Sequence, residues 1–504
     1  MRLTVVHRIA HLTTILVFLG YCLSVLSLKQ YEYAPYYPET DCIAAGISFA
    51  HYGTRLGRVN VTPYAMIRTP GAKPQDVIKQ ILKEHLPPGD MLRTTTDGNG
   101  IGCPIFASLS FALFGTDLKS LHYGMLLLMG ISTLAFALRF PDRRLIGIQL
   151  TLIALTIMLL TPLTSTESVV GQVSIGGLRY FFILGIIPGI HLFYELLSFS
   201  KRRTIDRRAI ALSGFQMLLL VLAIYVRGTP AYLLWPVWFG LALLWWTNRR
   251  DSVQKRLILR FGAMIVGLYV ASNLIWVASM PFSYIWTGQL NGGFWHRVFI
   301  SQSAHPKWVY PGLAEKYDCT HIFKEGLHQH GGDRNGHCVW VSLPENRNRP
   351  EHEVGRELFH TEYERQLRNA FLYIASEYPK ETFEAFFYYK PQHIIPTLKD
   401  ALNINIESPR DRIPYYILLQ AIACMALVLC QLSRDVWRNA LLFPLLHAGY
   451  FLCALVPHII AWTRIHTAID LIYFMYVIFA SAVPLLLALL CQLWGAKAQP
   501  EHSL

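Results

Sequence analysis

Charged residues are scarce in this chain. Of its 504 residues only 15% are Asp, Glu, Lys or Arg, while 53% are hydrophobic. A mean hydropathy of +0.33 excludes an ordinary soluble enzyme of this length. Acidic residues are the scarcer sign, 32 against 45 Lys and Arg, which leaves a formal net charge of +13. In so apolar a chain the positive-inside rule accounts for such an excess, and nucleic acid is not an expected partner. No Walker-type glycine loop, HExxH or GxSxG is present, so the chemistries those motifs mark are not indicated. Internal repeats and low-complexity tracts are also lacking. The first apolar segment is followed by "SLKQYEYAPYY" with no small-residue cleavage site. It reads as an uncleaved helix rather than a signal peptide.

What remains is a series of apolar runs. The first extends from about 9 to 28, and others lie at about 119–139, 145–162, 178–197, 209–226, 230–247, 257–280, 413–433, 439–459 and 469–494. Each has about the length that a bilayer demands, giving roughly ten transmembrane helices and an all-α polytopic membrane protein. Arg2 and Arg8 put the amino terminus in the cytoplasm, and the short basic connections "PDRR", "SKRRTIDRR", "RRDSVQKR" and "SRDVWR" belong on the same side. The organisation expected is a first helix (1–28), a first external loop with amphipathic helices such as "PQDVIKQILKEHL" (29–103), a transmembrane bundle (104–280), an external α-rich domain (281–412), C-terminal transmembrane helices (413–494) and a cytoplasmic tail (495–504). "PIFASLSFALFG" at 104–115 is apolar but too short to span. It is either interfacial or re-entrant, or the first half of one long tilted helix.

Four of nine cysteines, Cys42, Cys103, Cys319 and Cys338, fall in the two external regions. An even number on an oxidising face permits Cys42–Cys103 and Cys319–Cys338 bridges, with free buried thiols as the alternative.

Ionisable groups beside a membrane are costly unless a substrate, partner or cavity needs them, and here they recur at external helix ends. Asp41 and Glu39 follow the first span in "YYPETDCIAAGISFAHYGTRLGR", and Asp97 precedes the second. Asp41 is either a general base for an acceptor or an N-cap for the helix that follows, and Glu39 has a similar ambiguity, with Thr40 competing for the cap. Arg227 in "YVRGTP", Lys390 in "FFYYKPQHIIP" and Arg464 in "TRIHTAID" suit an anionic lipid headgroup or phosphate, unless each is a structural ion pair. His393 and His466 lie in the same two stretches. Trp295, His296, His305 and Trp308 in "GGFWHRVFISQSAHPKW" form either a sugar- or headgroup-binding surface or an interfacial aromatic belt. The histidines at 321–337 match no strong ligand spacing, so a divalent metal is allowed but not indicated.

Three of these stretches carry a resemblance. "YYPETDCIAAGISFAHYGTRLGR", "DGNGIGCPIFASLSFALFGTDLKSLHYGMLLLMG" and "LAIYVRGTPAYLLWP" resemble conserved elements of the GT-C superfamily of integral-membrane glycosyltransferases, the group that includes protein O-mannosyltransferases and the lipid A aminoarabinose transferase. Two departures mark an outlying subfamily: Thr40 separates the two acids, and "DGNGIGCP" stands where relatives carry HPP or KPP, which makes Asp97 a further candidate acid. The resemblance implies a GT-C-like bundle in which Asp41, with Glu39 as competitor, serves as base. It implies transfer of a sugar from a polyprenyl-phosphate donor to a glycan, lipid or protein acceptor of the cell envelope, with no obligatory cofactor. The expected location is a bacterial inner membrane, with the site on the periplasmic face and both termini cytoplasmic. A transporter or flippase of a lipid-linked intermediate, which would place ionisable residues near the bilayer midplane and often show internal repeats, or a non-catalytic subunit of an envelope complex, which would leave external carboxylates replaceable, is the alternative.

Overall fold

The computed structural model describes residues 37–55, 58–69, 72–92, 102–141, 181–199, 206–226, 229–279, 294–305, 333–346 and 361–390, together with a few positions within 12–23 and 147–151 and residues 204, 392, 449–450 and 453. Helix accounts for 85% of what is described, as the apolar composition requires: in lipid a helix satisfies every backbone hydrogen bond within itself. Among the described residues, three helices are long and apolar enough to cross a membrane. The other expected spans either form shorter apolar helices or lie largely outside the described residues. Two compact units emerge. One comprises Met1–Ser272, Asn405–Ala454 and Tyr473–Leu504, the other Asn273–Ile404 and Leu455–Ile472.

The first unit opens with α1 (Tyr37–Tyr52), a short strand β1 (Val59–Asn60), α2 (Val61–Arg68), α3 (Pro74–Glu84) and β2 (Met91–Leu92). The strands pair antiparallel, Val59 opposite Leu92 and Asn60 opposite Met91. Asn60 locks this ribbon to α1, its backbone N–H donating to Ser48 Oγ at 2.9 Å and its side chain to Gly89 O at 3.4 Å. The amphipathic pattern expected at 74–86 appears as α3, which starts on Pro74, buries Val77, Ile78 and Ile81, and ends at His85 in the left-handed region, φ 49°. Proline at the first position forfeits no helical hydrogen bond, and a left-handed residue is a common helix stop.

The segment at 104–115 resolves into its own helix, α4 (Gly102–Phe114). Gly115 ends it with φ +92°, a conformation open to glycine at little cost, so the single long tilted helix is not formed. After the turn, α5 (Lys119–Arg139) starts where Asp117 Oδ1 accepts the Lys119 N–H at 2.8 Å; its limits are those expected from the apolar run. Three further apolar helices follow: α6 (Phe181–Phe199), α7 (Arg207–Val226) and α8 (Trp235–Thr247). A 3-10 turn, Thr229–Leu234, precedes α8, where a continuous span over 230–247 was expected. The long α9 (Ser252–Ser279) follows, and its residues up to Ser272 belong to this unit.

Polar side chains fix the register of α5, α6 and α7. At one end, Arg139 Nε and Nη2 donate to the two oxygens of Glu195 at 2.7 and 2.6 Å, and Arg139 Nη1 reaches Asp206 at 3.2 Å. Midway, Ser132 Oγ donates to Gln216 Oε1 and Gln216 Nε2 returns a bond to Ser132 O, both at 2.7 Å. Between these levels, His191 stands 3.4 Å from Ser213.

In the second unit, α10 (Phe294–Ser301) and α11 (Asp333–Val341) pack on α12 (Thr361–Glu377), followed by α13 (Pro379–Glu384) and a π-helical turn, Ala385–Tyr389. Phe299, Val339, Trp340, Tyr363, Leu367 and Ile374 form its core.

The Arg139 and Glu195 side chains are 5% and 1% exposed. Removing one member of such a pair strands the other charge, at a cost of about 3–5 kcal/mol. Glu195→Gln is therefore expected to lower the thermal midpoint in detergent well below that of an exposed control such as Glu84→Gln, measured by helical circular dichroism.

Candidate functional site

The first unit gathers three chain segments at one end. Cys42, in α1, is disulfide-bonded to Cys103, in α4, with Cα atoms 5.4 Å apart. This is one of the two bridges that the cysteine distribution permits. Cys338 is also disulfide-bonded; Cys319 lies outside the described residues. From this staple α1 and α4 run side by side: Ser108 Oγ donates to Ala45 O at 3.3 Å. Gly46 lies so close to Phe111 that a Cβ there would come within 2.7 Å of the ring. Gly102 presses equally hard on the end of α7, where an added Cβ would be 2.5 Å from Val226 N and 2.6 Å from Tyr225 C. Backbones approach this closely only at a residue without a side chain.

Asp41 precedes Cys42 and lies one turn inside α1, which begins at Tyr37. It therefore is not the N-cap of this helix, and neither is Thr40. The helix extends further back than the cap reading allows because Pro38, second in α1, is suited to a first turn. Glu39 is two residues earlier, a separation that puts the two acidic positions on different sides of a helix. Both lie near the end at which partial positive charge favours a carboxylate. Asp97, Arg227, Trp308, His393, Arg464 and His466 lie outside the described residues.

The remaining candidates belong to the second unit, where Trp295, His296, His305 and Lys390 occur together with acidic and hydroxyl partners. Glu364 accepts the backbone N–H groups of Trp295 at 2.7 Å and His296 at 3.2 Å, satisfying donors that the first turn of α10 leaves open. His296 is buried, its Nδ1 hydrogen-bonded to Tyr363 Oη. Gly336 closes over that bond: a Cβ there would be 2.7 Å from both His296 Nδ1 and Tyr363 Oη. His305, also buried, meets Glu384 Oε2 at 3.2 Å and packs edge-on against Tyr389.

Lys390 is 2% exposed. Its Nζ donates to the buried Ser301 Oγ at 3.1 Å and sits 5.1 Å from the centre of the Phe386 ring. Burial holds its affinity for a proton well below the usual lysine value of 10.5, because an apolar setting disfavours the charged form.

Sequence reasoning passed over Glu195, His191 and Ser301. A signal for the first two existed: a carboxylate and an imidazole inside "FFILGIIPGIHLFYELLSF" are expensive in an apolar helix and need partners. Among the described residues, no group of three or more His, Cys, Asp or Glu is arranged to hold a metal ion. Comparisons with protein-family models, with characterised proteins and with solved structures find no match.

Two outcomes are expected. Non-reducing peptide mapping recovers the Cys42–Cys103 crosslink, and Cys42→Ser/Cys103→Ser loses about 4 kcal/mol of stability, the chain-entropy value for a separation of 61 residues. In the second unit, Lys390 binds its proton less tightly folded than unfolded. Stability therefore rises with pH from its lowered folded value up to the usual 10.5, by at most about 1.4 kcal/mol per pH unit, and falls on acidification through that window. Lys390→Met is expected to flatten that slope, read as the thermal midpoint across a pH series.

Proposed function

We propose that this chain is an integral-membrane glycosyltransferase of the GT-C type, using a polyprenyl-phosphate-linked sugar as donor and a glycan, lipid or protein of the cell envelope as acceptor. One observation above all supports the reading. Segments distant in sequence meet at one end of the first unit: the turn of α1 that carries Asp41, the disulfide from Cys42 to Cys103, and the end of α7. Arg227 is the next residue after Val226 in the chain. The turn that carries Asp41 and the end of α7, one residue before Arg227 in the sequence, are thus tied through one covalent bridge and one glycine contact to the same end of a helical bundle. Disulfides at Cys42–Cys103 and at Cys338 accord with an oxidising compartment. This fits the periplasmic face of a bacterial inner membrane with both termini in the cytoplasm.

The chemistry needs little more. Asp41 takes a proton from the acceptor hydroxyl or amine. The freed lone pair forms a bond to the anomeric carbon of the sugar, and the bond from that carbon to the phosphate oxygen breaks. Polyprenyl phosphate departs with the electron pair, and Arg227 balances the charge that develops on it. Holding acceptor and donor in line supplies a large part of the acceleration. Arg227 is the cation on which this scheme relies; Lys390 is bonded to Ser301.

Asp41→Asn is expected to reduce transfer by about 10²- to 10⁴-fold, the usual range for a general base. The assay is release of free polyprenyl phosphate from a panel of labelled donors in nanodiscs. Full activity in a folded Asp41→Asn protein would remove Asp41 from this role.

A second reading has an observation of its own. Arg139, Glu195 and His191 are buried ionisable groups in apolar helices, and such groups mark translocation paths in transporters. Flipping of a lipid-linked glycan that persists in Asp41→Asn but is lost in Glu195→Gln protein shown to be folded, with no donor cleavage by wild type, would decide for transport.

A further inference from the structure

The corner between α8 and α9 is the most strongly basic exposed patch among the described residues of the first unit. Between 245 and 260 the chain carries Arg249, Arg250, Lys255, Arg256 and Arg260 against a single acid, Asp251. That acid caps α9, its Oδ1 accepting the N–H groups of Val253 at 2.9 Å and Gln254 at 3.1 Å. All four arginines are exposed.

Two adjacent tryptophans stand beside them. Trp246 is 63% exposed, and the guanidinium carbon of Arg249 lies 5.4 Å from its ring centre. Lys255 makes the corresponding contact with Trp245 at 5.2 Å. These contacts hold positive charge over aromatic faces where a headgroup layer would lie.

An apolar stripe continues from the patch. Along the same side of α9 as Arg256 lie Leu259, Val266 and Val270, 58%, 46% and 46% exposed. Of the three helices long enough to span, α9 is the least covered by the rest of the chain: 17% of its apolar window is buried, against 50% in α5 and α7. Cationic head and apolar flank together fit a ligand that is amphipathic in the same order.

We infer that the α8–α9 corner, with the exposed side of α9, is a binding site for an anionic phospholipid of the leaflet opposite the proposed catalytic end. Gln254 Nε2 donates to Phe199 O at 3.1 Å, which ties the corner to the last turn of α6 and so to the Glu195 end of the bundle, away from Val226. The headgroup phosphate lies among Arg249, Arg256 and Arg260, and the acyl chains follow Leu259, Val266 and Val270. Such a lipid anchors α9 at a fixed depth, a task distinct from sugar transfer.

The test uses full-length protein in nanodiscs of phosphatidylcholine with and without phosphatidylglycerol, reading the lipids retained by native mass spectrometry and the thermal midpoint. The expected result is at least a tenfold preference for phosphatidylglycerol, since each basic residue near a membrane surface contributes about 1 kcal/mol. That preference weakens as salt is raised, vanishes in Arg249→Gln/Arg256→Gln/Arg260→Gln and survives in the corresponding triple lysine variant. Equal retention of the two lipids, or a salt-independent preference in wild type, would overturn the inference whether or not the glutamine variant folds. So would an equal stabilisation by inorganic phosphate alone, which would assign the patch to a soluble anion. A stable dimer crosslinked through Leu259→Cys and Val266→Cys would assign the face to a second copy of the chain. None of these readouts depends on transfer activity, so the site stands or falls apart from the proposed function.

Discussion

A charge in an apolar helix bundle has to be met by another, and the pair formed by Arg139 and Glu195 sets the terms for the first unit. Their fork geometry admits one rotation and one height of α5 against α6. Asp206, just before α7, joins from the third side. With the helices pinned at that end, Ser132 and Gln216 meet midway. The far end of α7 then arrives at Gly102, where no side chain stands between the backbones. Placement of the candidate site thus depends on an electrostatic match at the opposite end of the bundle.

The two ends use different means. Around Arg139 the constraint is noncovalent and directional, so it fixes orientation but is sensitive to the loss of either partner. At Cys42 and Cys103 it is covalent and limits the unfolded chain as much as it orders the folded one. The turn of α1 that carries Asp41 is held by the second kind, since Asp41 directly precedes Cys42. In the second unit, the polar residues suggested by sequence meet partners that it did not suggest: His296 with Tyr363, His305 with Glu384, Lys390 with Ser301.

Local features were legible in the sequence. The limits of α5 followed from a run of apolar residues and α3 from its amphipathic spacing and Pro74, while the placement of cysteines permitted the Cys42–Cys103 bridge without requiring it. Features made by distant partners were not. Nothing near Glu195 in the chain names Arg139, which is 56 residues away, and nothing near Ser301 names Lys390, 89 residues away. The cap alternative for Asp41 rested on its being a good capping residue, and that propensity gave way to a helix already begun at Tyr37. For Asp97, Arg227 and Arg464, composition and position in the sequence remain the basis of assignment.

The β1–β2 ribbon bears on how such a chain diversifies. By pairing Val59 with Leu92 and Asn60 with Met91, it closes α2, α3 and their turns into a loop whose two ends are fixed side by side. Additional residues inserted within that loop incur a closure entropy that grows only logarithmically with length, and neither α1 nor α4 has to move to accommodate them. The intervening segment can therefore be lengthened while the Cys42–Cys103 helix pair and the turn that carries Asp41 keep their places.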